Sequence, residues 1–151
     1  MLAYHKTTEE EKHAICEWKY DGVYSIYNSI PYEEQVKTRR GFANPKNNYY
    51  SFFDGSELIA YINLVEKETE VLLGVSVAPA FCDRGYGQKI CKTACGLSRQ
   101  LYPGKPVCIQ VRTWNMRAVR CYEKAGFRII GEPVTITPPV GEGLFYHMTA
   151  D

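Results

Sequence analysis

Apolar residues recur along the chain with two different periods, and the changes from one to the other outline its elements. Thr8 stands three residues ahead of Glu11, the spacing of a reciprocal helix cap, and Ala14, Ile15 and Trp18 follow at helical intervals. A first helix is therefore expected over 8–19. From 20 to 48 the pattern breaks: Tyr24, Tyr27, Tyr32 and Phe42 are scattered among Gly, Pro and Asn, which predicts short helices and loops. Aromatic and β-branched residues then crowd 49–53 and 58–65 around the turn pair Asp54-Gly55, predicting an antiparallel hairpin, and 71–77 reads as a third strand ended by Pro79. Ile90, Ala94, Leu97 and Leu101 share one face of a helix over 85–101, which Pro103-Gly104 stops. A buried strand over 107–112, a helix over 115–125 with Gly126 at its C-cap, and strands near 127–131 and 144–148 complete the order. That order predicts a mixed α/β fold without a repeat, in one domain over 1–151.

Composition narrows the class. The 151 residues are 45% apolar, enough for one core, and no linker or low-complexity segment divides them. Eighteen basic and seventeen acidic residues leave a net charge of +1, which gives no field for nucleic acid or an anionic membrane; the Lys37-Thr38-Arg39-Arg40 run is too short to change this. The first residues reach charge at once and no later stretch has the length of a membrane span, so a soluble cytoplasmic protein is expected. Six cysteines form no C-x-x-C pair and the three histidines lie far from them, so free thiols and no metal are expected, with Cys91 and Cys95 as small core residues.

The most informative segment is Val75-Ser76-Val77-Ala78-Pro79-Ala80-Phe81-Cys82-Asp83-Arg84-Gly85-Tyr86-Gly87-Gln88-Lys89, where a strand empties into a glycine-containing turn that opens into a long helix. Gly85 and Gly87 let successive backbone N–H groups approach an anion, and the helix N-terminus adds its positive dipole: a pyrophosphate cradle. A dinucleotide fold would require a third glycine where Ile90 stands, and a P-loop would require Gly-Lys-Ser/Thr. At the next strand–helix junction comes Asn115-Met116-Arg117-Ala118-Val119-Arg120-Cys121-Tyr122-Glu123-Lys124-Ala125-Gly126-Phe127.

In this order and spacing the two segments resemble the Q/R-x-x-G-x-G/A and N-x-x-A-x-x-x-Y-x-x-x-G-F motifs of GCN5-related N-acetyltransferases. The glycine turn is similar to that of histone acetyltransferases, and the second segment resembles aminoglycoside 6′-N-acetyltransferases. The resemblance covers about 71–131 and implies a GNAT-like domain whose mostly antiparallel mixed sheet splays at the cofactor site. It implies acetyl-CoA as acetyl donor and a primary amine as acceptor. Val75 and Val77 would offer backbone groups to the pantetheine arm, Arg84, Gly85, Tyr86, Gly87 and Gln88 would surround the pyrophosphate, and Asn115 would contact the cofactor arm. Tyr122 would sit beside the thioester sulfur as the acid that protonates the leaving thiolate, a phenol of ordinary pKa about 10 being a competent donor to a thiolate.

Cys82 stands where the family has Gln or Arg, with Arg84 close enough in sequence to compensate, and a thiol near a thioester could also accept an acyl group. The base is less defined. Ribosomal-protein N-acetyltransferases, which the segment before Asn115 resembles, place a Glu where this chain has Gln110, and the Glu of histone-type enzymes aligns with Val71. Glu70 beside it is the candidate, against a reading as a solvated strand-end charge. His147 could also reach a site. The segment 18–50, with Tyr20, Tyr24, Tyr27, Tyr32 and Phe42, is expected to wall the amine site, against a reading as packing of the first helix onto the sheet, with the connection from 133 to 143 as the alternative wall. A non-catalytic acyl-CoA-binding module is the competing class; the amine acceptor and a homodimer are left open.

Overall fold

The computed structural model describes residues 2–138 and 141–150. A seven-stranded sheet forms from β1 (Ala3–Lys6), β2 (Tyr49–Asp54), β3 (Glu57–Glu66), β4 (Val71–Val77), β5 (Val107–Arg112), β6 (Arg128–Ile136) and β7 (Gly143–Ala150) in the order β1-β2-β3-β4-β5-β7-β6. Every neighbouring pair is antiparallel except β4–β5. That parallel pair is short: Val71 faces Val107, Leu72 faces Cys108, and there the register ends.

Four helices accompany the sheet: α1 (Glu9–Cys16), α2 (Tyr32–Thr38), α3 (Tyr86–Leu101) and α4 (Met116–Lys124). Thr8 caps α1 by accepting from the Glu11 N–H at 3.2 Å while Glu11 accepts from the Thr8 N–H at 3.0 Å, and the helix ends at Cys16, short of the expected residue 19. The apolar stripe of α3, with Ile90, Cys91, Ala94, Cys95 and Leu97, packs on Phe52, Ile62, Leu64, Leu73 and Ile109 to form the main core, which α4 joins through Val119. A smaller cluster gathers Ile15, Cys16 and Phe42 with Tyr49, Leu58 and Tyr61. Because neighbours on a strand face opposite ways, Tyr61 beside Ile62 and Tyr49 beside Tyr50 put this cluster on the other side of the sheet. The region 20–48 holds two 3₁₀ turns, Gly22–Tyr27 and Gly41–Ala43, besides α2, as its broken pattern predicts.

Three further elements differ from the sequence expectation. β1 pairs with β2 along a fully exposed edge and so lacks any apolar alternation. β6 continues to Ile136 because a register shift between Ile130 and Val134 carries it past Gly131 and Pro133. The residue capping the C-terminus of α4 is Ala125, with Gly126 following at φ +104°. All six cysteines are free.

Candidate active site

The sheet opens where β4 and β5 part. Val71 donates its N–H to the Pro106 carbonyl at 2.9 Å on the β5 side, whereas Ala78 donates to Ile59 at 2.7 Å on the β3 side. Residues of an antiparallel strand turn their N–H and C=O to alternate edges, so Gly74 and Ser76 bond to β3, while Val75 and Val77 face the gap left by β5. The cleft so formed encloses about 760 Å³ and crosses the sheet, reaching from the N-terminus of α3 to the face covered by the residue 20–48 region.

At one end stands the glycine turn. Gly85 has φ +81°, a left-handed value that excludes a side chain without strain, and occupies the N-cap of α3 with no side chain bonded to the first-turn N–H groups. Gly87 is required for a different reason: a Cβ there would lie 2.8 Å from the Cys121 sulfur of α4. The two glycines thus leave the amides of the first turn of α3 bare at the cleft and let α4 close against them. Tyr86 lines the cleft with its hydroxyl bonded to Asp54 at 2.6 Å, and the Gln88 amide reaches the Lys124 carbonyl at 3.3 Å. Positive charge comes from α4, whose Arg117, Arg120 and Lys124 all line the cleft. Arg84 does not line it; its guanidinium lies 5.4 Å from the Phe81 ring centroid. Cys82 lines the cleft with its thiol bonded to the Val77 and Ala78 carbonyls at 3.6 and 3.5 Å, and burial pushes its pKa up, so it stands as a neutral donor and not as a thiolate nucleophile.

Deeper in, Asn115 is buried and doubly engaged. Its Oδ1 caps α4 by accepting from the Ala118 N–H at 3.2 Å, and its Nδ2 donates to the Tyr27 hydroxyl at 3.0 Å. Two turns along the same helix, Tyr122 lines the cleft, edge-on to Phe127. Burial, with the Cys91 and Cys121 thiols and Tyr27 nearby, raises its pKa well above the ordinary phenol value, which keeps the proton on its oxygen.

On the opposite face the wall is aromatic. Tyr20 donates to the Val77 carbonyl at 2.6 Å, tying the loop after α1 to the open edge of β4. Tyr27, Tyr49, Tyr61 and Phe145 also line the cleft. Tyr24 stands back from it, packed against Trp114 and under the Arg117 guanidinium at 4.0 Å. Tyr32 belongs elsewhere: its hydroxyl bonds Glu9 and its ring meets His13 at 4.6 Å. Phe42 is a core residue. Tyr49, Tyr61 and Phe145 were not singled out from the sequence; the available signal was the pair of small residues Gly74 and Ser76 on the outer face of β4, which leaves room opposite Tyr61. Of the connection from 133 to 143, residues 139 and 140 lie outside the described residues.

Glu70 is not brought to this site. It precedes β4 at the closed end of the sheet, about 20 Å down the strand from Val77, and is absent from the cleft lining. It faces His147 at 3.4 Å and lies within 4.8 Å of the Cys108 sulfur. The β4–β5 pairing at Val71 and Leu72 stands between it and the gap, so direct proton abstraction by Glu70 has no path here.

Comparison with known proteins gives the family and the fold. The acetyltransferase (GNAT) family matches over residues 12–127. The chain belongs to this family. Among solved structures it resembles a chimera of the Vibrio cholerae spermidine N-acetyltransferase SpeG and hSSAT, with TM-score 0.76 and 16% identity over 99% of this chain and 94% of that one. It also resembles the aminoglycoside acetyltransferase AAC(6′)-Ib in complex with coenzyme A, with TM-score 0.75 and 22% identity over 99% and 95%. The Escherichia coli ribosomal-protein-S18-alanine N-acetyltransferase follows the same fold, with TM-score 0.68 and 14% identity over 99% and 93%. No curated protein sequence matches. As a GNAT enzyme the chain is an acetyl-CoA-dependent N-acetyltransferase of mixed α/β fold. Among the described residues no helix is long and apolar enough to cross a membrane.

Proposed function

We propose that this enzyme acetylates a primary amine directly, with the parted β4 edge and the N-terminus of α3 holding acetyl-CoA and Tyr122 serving as the acid. The observation that carries this reading is the continuity of one cleft from the bare amides of Tyr86, Gly87 and Gln88, past the edge of β4 at Val75 and Val77 that β5 leaves uncovered, to the Tyr122 ring. The residues fit the donor: amides at the N-terminus of a sixteen-residue helix suit a pyrophosphate, and an unpaired strand edge suits the amides of a pantetheine arm. Arg117, Arg120 and Lys124 add charge on the α4 side, in the role first expected of Arg84.

Bound there, acetyl-CoA supplies the thioester carbonyl on which the amine nitrogen forms its new bond as the C–S bond breaks. The Val75 N–H, facing the gap, is placed to stabilise charge growing on a carbonyl oxygen. Tyr122 gives its proton to the departing sulfur. Asn115 acts by position: it starts the helix that carries Tyr122 and fixes Tyr27 opposite. Among the described residues the cleft offers no histidine, and its one carboxylate, Asp83, pairs with Arg117 at 3.4 Å. The amine therefore gives its proton to water and not to a protein base.

The competing reading as a non-catalytic module leaves Tyr122 in the cleft without a purpose. Thiol release from acetyl-CoA, measured across a panel of amines with mass-spectrometric detection of the N-acetyl product, separates the two: turnover of any amine establishes the enzyme, and acetyl-CoA binding with no turnover establishes the module.

A further inference from the structure

The acceptor side of the cleft contains one group that the chemistry described so far does not use. Arg112 closes β5 and is only 5% exposed, yet it lines the cleft. Its Nη2 donates to the Gly141 carbonyl at 3.0 Å, and its guanidinium lies 4.7 Å from the Phe145 ring centroid. A guanidinium has five N–H donors and keeps its charge at every physiological pH. Among the described residues no carboxylate pairs with this one. Buried charges are ordinarily paired, because an isolated ion loses its hydration without return.

Beyond the Gly141 carbonyl and the Phe145 ring, the described surroundings offer no countercharge to offset it. Tyr20, Tyr27 and Tyr49 line the same side with their hydroxyls engaged by the Val77 carbonyl, Asn115 and Asn47, and Tyr61 lines it beside them. Burial raises the pKa of all four, so they remain neutral. Gln110 shares the Arg112 face of β5 by alternation and adds a neutral amide at the cleft. Asp83 lies with Arg117, on the approach to α3.

We propose, building on the N-acetyltransferase reading, that the acceptor is a small primary amine bearing a carboxylate, held by Arg112 while the tyrosines flank its body. A guanidinium fork matches a carboxylate in two parallel hydrogen bonds, which fixes the acceptor's orientation as well as its charge. A polyamine meets the opposite situation: each ammonium beyond the reacting one enters a half-cleft whose described charge is positive and whose walls carry no carboxylate. Arg112 is thus the specificity-determining residue of the acceptor side.

The test uses the full chain with acetyl-CoA and a panel of α-, β- and γ-amino acids. Each is paired with the amine lacking its carboxylate and with its methyl ester, and spermidine is included. At least one amino acid should exceed both its partners by about 10- to 100-fold in kcat/KM, the usual range for a charge-assisted pair, with spermidine below it. Arg112→Gln should erase that preference while the acetyl-CoA melting shift persists. If the variant fails to fold, the comparison on the unaltered protein decides alone. Equal rates with and without the carboxylate, a lead for spermidine, or acetyl-CoA binding with no amino acid turned over would each overturn the proposal. Absence of both the melting shift and any thiol release would instead remove the acetyltransferase reading beneath it.

Discussion

At the scale of single residues, the cleft assigns separate tasks to side chains that look alike. Tyr20 and Tyr122 are both half-buried phenols lining the cleft, but one is spent on the Val77 carbonyl and the other stands on α4 as the proposed acid. Tyr122→Phe should lower kcat by about 10²- to 10⁴-fold, the usual contribution of a positioned acid, with acetyl-CoA affinity unchanged. The raised pKa of Tyr122 sets the pH dependence. A group whose pKa lies above the ordinary value near 10 stays protonated through that pH, so kcat should show no descending limb at pH about 10. The ascending limb should follow the pKa of each amine tried, since the described cleft provides no free carboxylate or histidine to abstract the proton. A fixed ascending limb shared by amines of different basicity would show a protein base instead. Gly87→Ala places a Cβ against the Cys121 sulfur and should cost about 1–3 kcal/mol in urea unfolding, with Gly87→Ala/Cys121→Ala recovering part of the loss because the clashing atom is gone.

At the scale of elements, the 3₁₀ turn Gly22–Tyr27 is the part of the aromatic region that serves the site. Tyr20, just before it, bonds β4 at Val77, and Tyr27, its last residue, accepts from Asn115 at the cap of α4, whereas Tyr32 on α2 is turned toward α1. Amine KM should therefore rise in Tyr20→Phe and Tyr27→Phe and hold steady in Tyr32→Phe; a rise in the last alone would place the wall at α2. The sequence could show these tyrosines but not which of them faced the cleft, since residues 20–48 have no period from which a face can be read. Both strand–helix junctions were legible because each relies on local chemistry: positive φ at Gly85, and the Asn115 cap. The partners on β2, β3 and β7 were not, since Tyr49, Tyr61 and Phe145 reach the cleft through cross-sheet register. For the same reason Glu70 looked adjacent to the chemistry: it neighbours β4 in sequence, but the strand carries it to the closed end. β1 could not be read because an exposed edge strand needs no apolar face, and the insertion of β7 between β5 and β6 has no local signature.

At the scale of the whole molecule, two cores on opposite faces clamp a sheet that is held together across its middle by only two register pairs between β4 and β5. A ligand that enters this parting and binds only the folded protein should stabilise all of it. At a hundredfold excess over Kd, acetyl-CoA should add about 2.7 kcal/mol, or roughly 5–11 °C in Tm for a chain of this size; no shift at millimolar acetyl-CoA would remove the donor assignment. The parting also divides β4 into two populations of amides. Gly74 and Ser76 are locked into β3 in every state, but Val75 and Val77 point where the next strand is missing, and only a visitor can complete the ladder. Hydrogen–deuterium exchange should therefore find alternate amides of one strand behaving differently: Ser76 slow throughout, Val75 and Val77 fast in the free protein and slowed by coenzyme A. In this sense the enzyme is a sheet one strand short, and under the proposed reading its donor is the strand that comes and goes with each turnover.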